Sequence, residues 1–137
     1  MNQSSPDIPA IRIEDVEAAV AFLPTFSARD FSPGHWESPP GVFPYFCADP
    51  AVGEFLKQLY DHHWVVDLDW PSQQDWAQQR VADPTLLRTA TLDEIRMLLT
   101  THARKDRFCD GHLAEMLGCG HIRAVLERLR EIRATFG

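Results

Sequence analysis

Thr91-Leu92-Asp93-Glu94-Ile95-Arg96-Met97-Leu98-Leu99-Thr100-Thr101-His102 is the stretch on which the fold of this chain turns. Thr91 and Glu94 stand three apart ahead of an apolar run, the spacing at which each side chain caps the other's backbone amide. Leu92, Ile95, Leu98, Leu99 and His102 then recur at helical intervals, so a helix is predicted from Leu92 onward. Continued past Leu99, Ile95, Leu99, His102 and Asp106 fall on one stripe, while Thr100, Arg104 and Arg107 fall on the opposite side. The spacing predicts an inward His102–Asp106 hydrogen-bonded pair and an outward cationic face. Such a pair either fixes how neighbouring helices dock or orients a general base. No Gly-x-Ser-x-Gly elbow supplies a nucleophile for the second role.

Toward the C-terminus, Gly111, Gly118 and Gly120 punctuate the chain, with a short helix expected over Leu113–Leu117. Ile122, Val125, Leu126, Leu129 and Ile132 define one face of a last helix whose other face carries arginines. Toward the N-terminus, Asp83-Pro84 opens a brief helical turn, and Ser72-x-x-Asp75 resembles a capping box for a helix through Val81. Asp49-Pro50 places an N-cap ahead of a proline at the first helical position, for a helix reaching His62-His63. His35-Trp36-Glu37 and Val42 to Cys47 read as two short strands of a ribbon, with Pro44 confining the second to an edge. A first amphipathic helix is expected from Glu14 to Phe26, kinked or stopped by Pro24. The sum is a mainly α, irregular helical domain of about five or six helices with at most a small β ribbon. It spans residues 11–137 behind a tail over residues 1–10.

At 137 residues, with 45% hydrophobic and 24% charged side chains, the chain is sized for one globular core. Residues 1–10 hold no cationic region and no apolar run, and the three cysteines form no framework, so a cytoplasmic protein is expected. No membrane-spanning run is present. The net charge of −7 is unevenly spread. Five Lys/Arg face fifteen Asp/Glu up to Ile95, a net −10; eight face five from Arg96 onward, a net +3. Either the two halves neutralise each other at a seam, or the second half carries an anion site. A pI of 5.2 argues against duplex nucleic acid as a partner.

The candidate ligand-binding residues are His102, Arg104, Lys105, Asp106, Arg107 and His112, with Trp36 and Tyr45 as aromatic walls facing the arginines. Cys109-x-x-His112 and Cys119-x-His121 offer four metal-type donors, but the second spacing is too tight for the common zinc patterns, and no metal is expected. Adjacent His62 and His63 diverge by about 100° on a helix and are not expected to share an ion. Gly118-Cys119-Gly120 is too short for a phosphate loop, and no cofactor is expected.

Arg104-Lys105-Asp106-Arg107-Phe108-Cys109-Asp110-Gly111, then Gly120-His121-Ile122, then Leu126-Glu127-Arg128-Leu129 resemble a bacterial domain family of unknown function, the DUF6508 type. Phe43-Pro44-Tyr45-Phe46 and the Val52, Phe55, Leu59, Tyr60 helix resemble its first half. Similar domains stand alone or attached to ADP-ribosylglycohydrolases and macrodomain proteins. The resemblance therefore implies a nucleotide-type ligand or a protein partner, and it carries no assigned catalytic residues. Three expectations follow. The first is a non-catalytic binding or accessory domain for an anionic, nucleotide or ADP-ribose-type ligand or a protein partner. The second is a small hydrolase or transferase on a phosphorylated substrate, using the His–Asp pair. The third is an acidic regulatory protein that docks onto a basic partner.

Overall fold

The computed structural model describes residues 8–136. Seven α-helices and one ribbon are found among them: α1 (Ile13–Val20), α2 (Leu23–Ser27), β1 (Gly34–Glu37), β2 (Tyr45–Ala48), α3 (Pro50–Asp61), α4 (Gln74–Ala82), α5 (Leu92–Asp106), α6 (His112–Gly118) and α7 (His121–Arg133). Short 3-10 segments, Trp70–Gln73 and Pro84–Thr89, precede α4 and α5. The mainly α expectation with a small β ribbon holds. The tail expected over residues 1–10 lies mostly outside the described residues; Ile8, Pro9 and Ala10 are exposed and carry no regular structure.

The capping box forms as spaced. Glu94 N–H donates to Thr91 Oγ1 at 3.1 Å, and Thr91 N–H donates to Glu94 Oε1 at 2.8 Å. From that start α5 runs as the central helix and buries Ile95, Leu98, Leu99, Thr100, Thr101, His102 and Ala103. Thr100 Oγ1 donates to the Trp64 carbonyl at 2.9 Å and accepts from Val66 N–H at 3.2 Å, pinning the loop after α3 onto α5. Asp49 caps α3 through Ala51 N–H at 2.9 Å, and Asp83 caps the 3-10 turn through Thr85 N–H at 3.1 Å.

One break falls where Pro24 was expected to kink or stop the helix, and one helix start departs from expectation. The helix expected over Glu14 to Phe26 breaks into α1 and α2, because Pro24 lacks an amide and its ring would strike the carbonyl four residues back. Pro24 sits instead in the first turn of a new helix. Ser72 does not cap a helix: its hydroxyl donates to the Asp69 carbonyl at 2.9 Å, and Pro71 lies in a 3-10 turn that leads into α4.

α7 buries Ile122, Val125, Leu126 and Leu129, and packs against α1, α2 and α6. Phe22, Phe26 and Phe55 meet nearby, Phe55 edge-on to both other rings at 5.2 Å between centroids. The expected charge seam is thinly paired. Arg133 and Glu17, at 2.9 Å, form the one ion pair that joins the acidic and basic halves among the described residues. Arg96 and Arg128 reach instead for the carbonyls of His63 and Ala90.

In the ribbon Gly34 pairs with Ala48, His35 with Cys47, Trp36 with Phe46 and Glu37 with Tyr45, all antiparallel. Gly34 is required there, since a Cβ would meet the Cys47 carbonyl and stand 2.6 Å from the Phe46 ring. The second strand starts at Tyr45 rather than Val42, after Pro44, which has no amide to offer the ladder.

Candidate functional site

α5 stays helical through Asp106 and buries His102, but Thr100, expected on the outer side with the arginines, is fully buried, and Asp106, expected on the inner stripe, is only half-buried. Arg104 and Lys105 are half-exposed and Arg107 is exposed. None of the three makes an ion pair among the described residues. Arg104 and Lys105 lie in the last turn, where cations complement the helix dipole.

The inner stripe resolves differently from the expected His–Asp pair. His102, 3% exposed, has Nδ1 3.0 Å from His112 Nε2 and Nε2 3.0 Å from His121 Nε2. Three imidazoles, one from each of α5, α6 and α7, thus form a buried hydrogen-bonded chain. Asp106 turns away from it, and Oδ1 accepts Leu113 N–H at 2.9 Å, capping the first turn of α6. The physical reason is competition. An amide left unpaired at a helix start is a fixed donor, and it takes the carboxylate that closes the preceding helix. His102 then finds its partners on two other helices.

Tautomers follow from the chain. A neutral imidazole donates from one nitrogen and accepts at the other. His121 Nδ1 is buried without a partner. A buried orphan acceptor is tolerated better than a buried orphan donor. The favoured arrangement therefore runs from His121 Nε2–H to His102 Nε2, and from His102 Nδ1–H to His112 Nε2. Burial, then the neighbouring His121 and His112, then Lys105 hold the His102 pKa well below the usual imidazole value. Burial and Lys105 push His112 down to about 4, and burial and His112 push His121 down to about 4. The chain is neutral at pH 7. The two nitrogens of His102 point in opposite directions, so these rings do not converge on one ion. No group of three or more His, Cys, Asp or Glu suited to a metal occurs among the described residues.

A His–Asp pair does form elsewhere. His62 Nδ1 lies 2.8 Å from Asp15 Oδ1, and Asp15 Oδ2 accepts Arg12 N–H at 2.9 Å. A carboxylate only accepts, so Nδ1 carries the hydrogen. The pair joins α1 to the end of α3, beside a cavity of about 500 Å³ lined by Arg12, Glu14, Asp61 and His63 among others. Forty-seven residues separate the partners, and no local signal points to them.

Trp36 and Tyr45, expected to wall one pocket, lie on opposite faces of the ribbon, because Trp36 pairs with Phe46 and Tyr45 with Glu37. Trp36 and Phe46 meet edge to face at 5.5 Å. They look onto α6 and the turn before it, where two adjoining cavities share Phe46, Asp110, Gly111 and Ala114. Those cavities are lined by the carboxylates Asp106, Asp110 and Glu115, not by Arg104, Lys105 or Arg107. Burial raises the Asp106 carboxyl pKa; the Leu113 N–H opposes that rise and Asp110 adds to it. The structure thus brings His102 to His112, and Trp36 to Asp106's cavity neighbour Asp110; the expected aromatic–arginine wall is not assembled. Sequence reading missed Phe46 and Asp110 as lining residues and His121 as the third imidazole. Alternation places Phe46 beside Trp36 only once the strand register is known.

A model of the family described as "Family of unknown function (DUF6508)" matches residues 11–135. No curated protein and no solved structure matches the chain. Among the described residues no helix is long and apolar enough to cross a membrane.

Proposed function

This chain belongs to the family of unknown function DUF6508, and we propose that it works as a non-catalytic binding or accessory domain that docks a protein partner through its ribbon. One observation carries the reading. Of eight large exposed hydrophobic residues among those described, Trp36 and Tyr45 stand on the two faces of the ribbon and Val42 and Phe43 on the turn that joins its strands, while Phe108, on the turn after α5, stacks on Trp70 at 5.6 Å. Phe43 is 91% exposed and Phe108 is 74% exposed. Clustered apolar side chains left in water mark contact surfaces, whereas singly scattered ones need no explanation.

Two further features support binding over catalysis. His102 engages both ring nitrogens inside the core and so offers no free base to a substrate. The cavities beside the end of α5 are lined by carboxylates, which favours a protein partner over an enclosed phosphate. A second reading rests on Arg104, Lys105 and Arg107, which form no ion pair among the described residues and suit an anion at the surface. The resemblance to domains attached to ADP-ribose-handling enzymes names ADP-ribose and AMP as the ligands to try.

Photo-cross-linking in an extract of the source cells tests the main reading. A photoreactive residue at Phe43 is expected to give one discrete adduct, and the same residue at exposed Leu86 is expected to give none. Equal or absent adducts at the two positions would remove the ribbon as the contact surface. Heat on titration with ADP-ribose, lost in Arg107→Glu, would transfer the site to the cationic end of α5.

A further inference from the structure

The groove between the ribbon and α6 combines three properties. Its wall is aromatic, formed by Trp36 and Phe46 at 5.5 Å and edge to face. Its rim and floor carry Asp106, Asp110 and Glu115, none of them ion-paired among the described residues. Its two adjoining cavities measure about 210 and 290 Å³, room for a long side chain rather than for a water alone. Gly111 shapes the floor: its φ of +79° turns the chain from α5 into α6, and a Cβ there would stand 3.1 Å from the Phe46 ring.

The carboxylates are under-compensated. Asp106 spends one oxygen on Leu113 N–H, and its other oxygen accepts no hydrogen bond among the described residues. Its raised pKa reports the same shortage, with burial the first cause and Asp110 a further one. Lys105 and Arg107 are sequence neighbours, yet neither lines the groove or pairs with these acids. A cation supplied from outside would satisfy both the carboxylates and the exposed Trp36 ring, whose quadrupole attracts positive charge.

The geometry points to an arginine side chain, carried on a basic segment of the partner, as the occupant of this groove. Arginine fits better than lysine on two grounds. Its flat guanidinium stacks on an aromatic wall, and its fork of donors reaches more than one carboxylate oxygen at once. A partner segment suits the site because Val42 and Phe43, at the far end of the ribbon, extend the surface beyond one side chain. The inference rests on the docking role proposed above and names the chemistry of its partner.

Fluorescence anisotropy with blocked, glycine-spaced peptides carrying two arginines, two lysines or two glutamates tests it on the full chain. The arginine peptide is expected to bind several-fold tighter than the lysine peptide, and the glutamate peptide not at all. The double variant Asp110→Asn, Glu115→Gln, both exposed positions, is expected to weaken the arginine peptide at least tenfold, and Trp36→Leu several-fold. Glu127→Gln on α7, remote from the groove, is expected to change nothing. Absent binding of the arginine peptide, or equal weakening by Glu127→Gln, overturns the inference. A discrete cross-link at Phe43 alongside either failure would leave the docking surface standing with a different occupant.

Discussion

The junction of α5, α6 and α7 and the adjoining ribbon invert the usual placement of side chains in opposite senses. At the junction three imidazoles are sealed inside, each at most 7% exposed. On the ribbon four large apolar side chains stand in water. Each inversion carries its own physical explanation. Inside, the imidazoles satisfy one another at every facing nitrogen, leaving only His121 Nδ1 without a partner, and neutrality removes the cost of burying charge. Outside, apart from the Trp36–Phe46 contact, no described residue covers these side chains, and their exposure supports the docking role proposed above. The polar cluster therefore reads as architecture and the apolar one as a working surface.

Acid is expected to separate the two regions most strongly. His112 and His121 are held at about 4 in the fold, against about 6.5 in the unfolded chain. Between those values the unfolded chain binds more protons, so stability is fully present above pH 6.5 and is lost as the pH falls toward 4. Each imidazole contributes about 1.4 kcal/mol for every pH unit separating its two pKa values. Asp106 works the other way: its raised pKa lets the fold hold a proton more tightly near pH 4, which offsets part of the loss. Urea unfolding at a series of pH values should show a loss of several kcal/mol, and a flat profile would break the reading of the junction as neutral and sealed.

Removing the central ring comes next. His102→Ala leaves the facing nitrogens of His112 and His121 without a partner inside the core and opens a cavity. About 2–4 kcal/mol of stability should disappear by chemical denaturation at pH 7. A cost below about 1 kcal/mol would mean that the chain of imidazoles contributes little to the docking of α6 and α7.

The smallest effect is expected on the ribbon. Phe43→Ser should change stability by no more than about 0.5 kcal/mol, because the ring loses no internal contact. The same change should diminish capture of the partner in cells. A large loss of stability would show that Phe43 is held by the fold and would weaken the contrast between the two regions.

How much was legible beforehand differs by element. Thr91 and Glu94, Asp49 and Pro50, and Asp83 and Pro84 announce their helix starts because each device closes within three residues. Pro24 likewise signals the break between α1 and α2. His102 was recognisable as an inward-facing polar residue from its phase on α5. Its partners were not, because Asp106 at the next turn was as well spaced as any. Nor did spacing disclose that an amide of α6 would take that carboxylate.

Local chemistry in the chain is enough to specify the caps, the breaks, the amphipathic faces and hence a mainly helical fold with a small ribbon. Packing alone decided that His102 joins His112 and His121, that Asp15 joins His62, and that Trp36 looks onto carboxylates rather than arginines. The reason is one of range. A hydrogen bond between neighbours in sequence depends on a few backbone angles, whereas one across 10, 19 or 47 residues depends on strand register and helix packing set by the whole core.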